Sequence, residues 1–183
     1  MHHRQLLTLS LLSLLLGCSQ SPTQAVSPKQ QQDRVISTFQ QVERQVQQGT
    51  DPQQYPILVV QVNEAIARLP EDTPPRVTQL LEGSASAYTL AYRYWQCDQK
   101  KAGAERAVCQ DSELEKIVTR FPHIKRNITN RLVIRPNPPA YLSESITTQN
   151  MVRLLLMQAS LNRVDAHLIL TGGDFEEVYS LKS

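Results

Sequence analysis

Apolar residues recur at spacings of three and four along most of this chain, and that is the helical period. Val35, Phe39, Val42 and Val46 form one stripe, predicting a helix over 33–48 with Gly49 as its stop. Tyr55, Leu58, Val62, Ala65, Ile66 and Leu69 predict a second helix over 55–69, its face widened by Val59 and Val60. The β-branched cluster 57–60 also fits a short strand, but the helical spacing continues past it to Leu69. Pro56 suits a first turn, where no backbone donor is needed, and Pro70 sits just beyond the end. Thr73, as a cap, and then Pro74 and Pro75 open a third helix to about Cys97, on Val77, Leu80, Leu81, Ser84, Tyr88, Ala91 and Trp95.

Within that third helix, 83–87 is a run of small residues. Glycine costs a helix roughly 1 kcal/mol against alanine, so Gly83 implies the close approach of a neighbouring helix. Tyr88, Tyr92, Tyr94 and Trp95 crowd the last third, either as an aromatic plug at one end of the core or as a stacking platform. A polar loop is expected over 98–110. The Ser112 to Glu115 capping box then starts a fourth helix on Leu114, Ile117, Val118 and Phe121, stopped by Pro122. Ile124, Ile128 and Leu132 suit a further short helix, and the proline-rich stretch 135–139 is extended. The last helix is expected from about Ile146 to Leu170, capped by Ser143 or Ser145 and ended by Gly172 and Gly173. Its seam is Asn150, Leu154, Met157, Leu161, Val164 and Leu168, flanked by Met151, Leu155 and Leu156. The acidic tail 174–183 either docks or lies open. The reading is all-α: a bundle of four to five helices over 33–183, with a disordered N-terminal tether and a disulfide-closed inter-helix loop.

The N-terminus breaks the pattern. Arg4 precedes an apolar run from Leu6 to Leu16, and Gly17 and Cys18 follow. A charged start, an apolar run of this length and a small-residue exit make a secretory signal over 1–17. The run is too short to span a bilayer, which takes about 20 apolar residues. Leu15-Leu16-Gly17-Cys18 resembles the lipobox of bacterial lipoprotein precursors. The resemblance is confined to this segment. It implies cleavage before Cys18, diacylation of its thiol and acylation of the new amino group; more than one acyl chain makes a stable anchor. The alternative is an ordinary cleaved signal ending near a cysteine. Ser19 rather than Asp follows the cysteine, which in a Gram-negative host implies the outer membrane, facing the periplasm. Residues 18–32, rich in Ser, Gln and Pro, read as a lipidated flexible tether.

The cysteine count now gains meaning. Of three cysteines, Cys18 is assigned to the anchor, leaving Cys97 and Cys109 as an even pair in an oxidising compartment. That favours a disulfide between them, against two free thiols or a metal site. Neither has the neighbouring ligands zinc needs, and their spacing is not the Cys-x-x-Cys of redox pairs. No metal or cofactor is expected.

Net charge is +2, and about +1 once Arg4 is removed, a balance that does not predict nucleic-acid binding. The asymmetry lies in one stretch: Lys116, Arg120, Lys125, Arg126, Arg131 and Arg135 are basic, with no acidic residue from Lys116 to Ser143. Such a stretch can contact an anionic envelope component or an acidic partner; the other reading is a solvated face balanced in space by Glu113, Glu115 or the tail. Haem ligation through Met151, Met157 and His167 is a thinkable bundle chemistry, yet there is no Cys-x-x-Cys-His and His167 is off the seam. No Gly-x-Ser-x-Gly or His-Glu-x-x-His motif occurs. The sequence therefore points to a membrane-anchored envelope lipoprotein acting as a non-enzymatic binding or assembly factor, its partners the membrane and an envelope protein or anionic component. Two alternatives stand beside it: a ligand-binding bundle with Tyr88, Tyr92, Trp95 and His167 around a pocket, and an enzyme acting on envelope polymers.

Overall fold

The computed structural model describes residues 26–51, 53–100, 103–125 and 147–173. Among these residues all regular structure is helical: α1 Pro28–Gln47, α2 Tyr55–Ile66, α3 Pro75–Asp98, α4 Ala104–Arg120 and α5 Thr148–Thr171, with a helical turn at 122–125. Several expectations lie outside the described residues: the signal peptide, Cys18 and the start of the tether, the short helix on Ile128 and Leu132, the extended stretch 135–139, the serine caps Ser143 and Ser145, and the tail 174–183.

α1 starts earlier than Asp33, inside the stretch read as tether. Ser27 is its cap: the Ser27 hydroxyl accepts from the Gln30 backbone N–H at 3.3 Å, and the Gln30 side chain accepts from the Ser27 N–H at 3.2 Å. Pro28 follows in the first turn. This capping box satisfies two otherwise orphaned donors, which is why a polar, proline-bearing stretch becomes helical. Val35, Ile36, Phe39 and Val42 form its buried stripe.

α2 buries Leu58, Val62 and Ala65, as the spacing predicts, but Val60 is 54% exposed and does not widen the core face. Thr73 does not cap α3. The first turn opens from Pro74 with no side-chain cap, and the buried Thr73 hydroxyl instead accepts from the Gln32 amide of α1 at 3.3 Å. On α3 it is Tyr94, fully buried, rather than the half-buried Trp95, that completes the inner face.

The loop after α3 is far shorter than predicted, because α4 starts at Ala104 and Cys109 lies on it. Ser112 is therefore mid-helix and caps nothing. Cys97 and Cys109 are joined, with Cα atoms 5.6 Å apart. The Arg106 guanidinium donates to the Asp98 carbonyl at 3.1 Å across the same turn. The staple replaces the capping chemistry that α4 lacks at Gly103.

α3 is the hub: it packs on α2, α4 and, most extensively, α5, while α1 lies against α2 and α5. Ser84 donates its hydroxyl to the Ala159 carbonyl at 2.8 Å, both buried. A Cβ added at Gly83 would sit 2.6 Å from the Asn162 side-chain nitrogen. The small residues of 83–87 thus admit a neighbouring backbone, as predicted. The face of α5 that meets them is not the expected seam. Its buried residues are Met151, Leu155, Ala159, Asn162 and Ala166, whereas Met157 is 52% and Leu161 40% exposed. Ala159 and Asn162 meet the small-residue run, and the two large residues buried on this face, Met151 and Leu155, are ones the sequence places beside the seam rather than on it. Thr147 caps α5, accepting from the Asn150 N–H at 3.3 Å. Gly172 ends it at φ +68°, a left-handed turn that glycine adopts without strain.

Candidate functional site

Two regions have the makings of a site. The first is the basic stretch. Lys116 and Arg120 are exposed on α4 and line a shallow pocket with Asn63 of α2. Lys116 is tied to Glu113 at 2.6 Å, and Glu113 also pairs with Arg93 of α3 at 3.4 Å. The start of the stretch is thus balanced in space by Glu113, one of the acids considered for that role. Lys125 is exposed on the turn after α4. Arg126, Arg131 and Arg135 lie outside the described residues.

The second region arises where α1 and α5 make few contacts and leave a groove between them. Tyr55, at the first turn of α2, stacks on Tyr92 of α3 with ring centroids 5.5 Å apart and planes 10° from parallel. Tyr92 in turn stacks on Trp95, one turn along the same helix, at 6.3 Å and 25°. Gln96 donates to the Tyr92 hydroxyl at 2.7 Å and fixes the middle ring. The core reading of these aromatics holds for part of the set. Tyr88 and Tyr94 are buried in the core, and Tyr92 and Trp95 are half-buried in a ladder that begins on another helix.

The ladder walls an inner pocket of about 200 Å³, closed by Val46, Ala91, Val152 and Leu156 and by Gly49 and Thr50 of the α1–α2 turn. Val46, Val152 and Leu156 also line an outer cleft of about 480 Å³, together with Tyr88, Met157 and, at its polar edges, Glu43 and Arg153. The two share three lining residues, an adjacency that makes them one region of the surface. The lining also fixes the helix directions: Gly83 meets Asn162, whereas Ala91 and Val152 wall the same pocket, so α3 and α5 run antiparallel. On the far side of Tyr92 and Trp95 lies a wider, polar cleft of about 860 Å³, next to Cys109, Arg93 and Glu113.

The electrostatics of the groove are mostly neutral. Glu43 is occupied by α5: it accepts from the Ser160 hydroxyl at 2.5 Å and pairs with Arg163 at 2.9 Å. Burial first, and then Tyr88 nearby, holds the Tyr55 hydroxyl well above the ordinary tyrosine range. Tyr88 is raised likewise, by burial and then by Glu43, with Arg163 acting in the opposite sense. Both phenols are therefore neutral at any physiological pH. Two oxygens in this region are buried without a hydrogen-bond partner among the described residues, Thr50 Oγ1 and the Tyr55 hydroxyl.

His167, grouped by sequence with the aromatics, lines neither part of the groove. Met151 is fully buried and Met157 is exposed, so the methionines and His167 are not gathered around one point. Among the described residues no group of three or more His, Cys, Asp or Glu side chains could hold a metal ion, and no helix is long and apolar enough to cross a membrane. Sequence reasoning missed Thr50, Val46 and Val152 as walls; Thr50 sits in a turn, where no periodicity marks it. No family model, curated protein or solved structure matches the chain.

Proposed function

We propose that this chain is a lipid-anchored bacterial envelope protein, held through Cys18, that acts as a non-enzymatic binding or assembly factor. The observation that carries the reading is the Cys97–Cys109 disulfide. It consumes the two cysteines of the folded part and leaves Cys18 alone at the end of the apolar run, where the lipobox resemblance assigns it a lipid. Disulfides persist in oxidising compartments, which agrees with export. In a Gram-negative host, Ser19 after the cysteine favours the outer membrane, facing the periplasm. Partner binding then falls to the surface of the bundle, with the basic residues from Lys116 to Arg135 as the contact for an anionic envelope component or an acidic protein.

Metabolic labelling with a fatty-acid analogue tests the anchor: label on the native chain and none on Cys18→Ser is expected, and an unlabelled native chain overturns it. Crosslinked pull-down tests the contact. Arg126 and Arg131 both changed to Glu should lose the captured envelope complex, and an unchanged complex removes that role from the basic stretch. The groove beside Tyr55 favours a second reading, in which the bundle binds a small molecule.

A further inference from the structure

The outer cleft, of about 480 Å³, has two charged residues at its edges, and the bundle uses only one of them. The acid is spent. Glu43 pairs with Arg163 at 2.9 Å, both side chains being little exposed, and it also accepts from the Ser160 hydroxyl. The base is not: Arg153 is exposed and has no ion pair or hydrogen bond among the described residues. Arg153 stands one turn before Met157 on α5, so the two side chains are neighbours on one face. Met157 is 52% exposed, and Val46, Tyr88, Val152 and Leu156 line the same cleft. An unused guanidinium thus borders an apolar surface that the fold leaves in water.

Charge, surface and size each narrow what the cleft can hold. A cationic head would be repelled by Arg153 and would find Glu43 already paired. A neutral head gains no charge pairing from the guanidinium. A carboxylate meets it with two parallel bonds, the fork geometry that arginine offers. An aliphatic chain laid over Leu156 and Met157 takes apolar surface out of water, and methionine adapts to the shape of what covers it. Size limits the number of chains. An engineered cavity of roughly 150 Å³ holds the six carbons of benzene, about 25 Å³ each. At that density a cleft of about 480 Å³ admits on the order of 20 carbons. That is one acyl chain and not the two of a membrane phospholipid.

We infer that the outer cleft between α1 and α5 binds a free fatty acid, its carboxylate on Arg153 and its single aliphatic chain over Val152, Leu156 and Met157. The inference rests on the small-molecule reading of this groove and gives it a ligand. The site is independent of the anchor at Cys18, so loss of lipidation would not remove it.

Calorimetry tests this on the chain from residue 18 carrying Cys18→Ser, which keeps every described helix and needs no detergent. Decanoate is titrated at about pH 7.5, where its carboxylate is ionised, and below micelle formation; decanol and decyltrimethylammonium serve as comparisons. One decanoate per chain is expected, with amide protection gained over 43–47 and 149–157. It should bind about fivefold more tightly than decanol, the upper end for an ion pair at an exposed site, and the ammonium should bind weakest. Arg153→Gln should remove the preference for decanoate and leave decanol binding unchanged. Met157→Gln should weaken both about threefold, because it takes apolar contact from either chain. Both side chains are exposed, so neither change touches the core. Decanol bound as tightly as decanoate, or a preference that survives Arg153→Gln, overturns the fatty acid while leaving a small-molecule groove. No saturable binding of any of the three overturns the groove reading as well. Decanoate that binds only after residues 174–183 are removed assigns the cleft to the chain's own acidic tail and overturns the fatty acid.

Discussion

Tyr94 is fully buried on the inner face of α3, yet its hydroxyl has no hydrogen-bond partner among the described residues. Burial, then Asp111 and Asp98, pushes its pKa up to about 12. The consequence is a stability that depends on alkaline pH. Below pH 10 the phenol is protonated in both folded and unfolded chains and contributes no slope. Between pH 10 and about 12 the unfolded chain releases the proton while the folded chain keeps it. The unfolded state then binds fewer protons, and stability falls as pH rises, by at most about 1.4 kcal/mol per pH unit for this group. Tyr94→Phe should remove that share of the alkaline loss. It should also raise stability by about 1 kcal/mol at pH 8, because an unsatisfied buried hydroxyl is replaced by hydrogen. Urea unfolding of both proteins at pH 8 and pH 11 checks this; equal losses on going to pH 11 would show that Tyr94 is not the group responsible. The aromatic-plug reading of the sequence includes Tyr94, but the apolar stripe ends on Trp95, because the two are neighbours and a drift of one residue in helical phase exchanges them.

At the scale of elements, the contact between α3 and α5 is set by what is missing from the side chains. Gly83 lies against Asn162, whose amide oxygen accepts from Gln158 at 2.8 Å and whose position is therefore held. Gly83→Ala gains roughly 1 kcal/mol of helix propensity but places a methyl group 2.6 Å from the Asn162 nitrogen. The amide end of Asn162 can swing aside at the cost of its bond to Gln158, so the two effects should nearly cancel, with a net change under about 1 kcal/mol. Asn162→Ala should make the added methyl favourable, so that the pair is coupled by about 1 kcal/mol in a double-mutant cycle. Independent effects of the two changes, measured by denaturant midpoint, would mean that the helices do not meet there. The small-residue run announced this contact, but only on one partner. On α5 the apolar heptad of large residues pointed to the wrong stripe, because periodicity weighs side-chain size whereas close packing rewards its absence. Helix starts failed for a related reason. Ser27 with Gln30 makes a capping box inside a stretch that reads as a tether, and Ser112 with Glu115 has the same pattern but lies mid-helix. A capping pattern has meaning only where the chain has no preceding turn to supply the donors' partners.

For the molecule as a whole, the disulfide decides how α4 belongs to the bundle. α4 has neither a capping side chain at Gly103 nor the extensive packing that joins α3 to α5. It is held by α3, by Gln110, whose amide donates to the Thr148 hydroxyl at 3.1 Å, and by Glu113 on Arg93. Cys97 and Cys109 close a loop with a sequence separation of 12, for which chain entropy gives about 3 kcal/mol of stabilisation. Reduction should therefore lower global stability by about that amount. It should also act unevenly: amide exchange over 104–120 should rise first, while α3 and α5, joined by Ser84 on Ala159 and by the small-residue contact, keep their protection. The groove walls lie on α1, α2, α3 and α5, so ligand-induced protection of these helices should survive in the reduced protein. Exchange rising in α5 as fast as in α4 would show a single cooperative unit stapled by the bond, and the groove would then share the redox sensitivity of the rest.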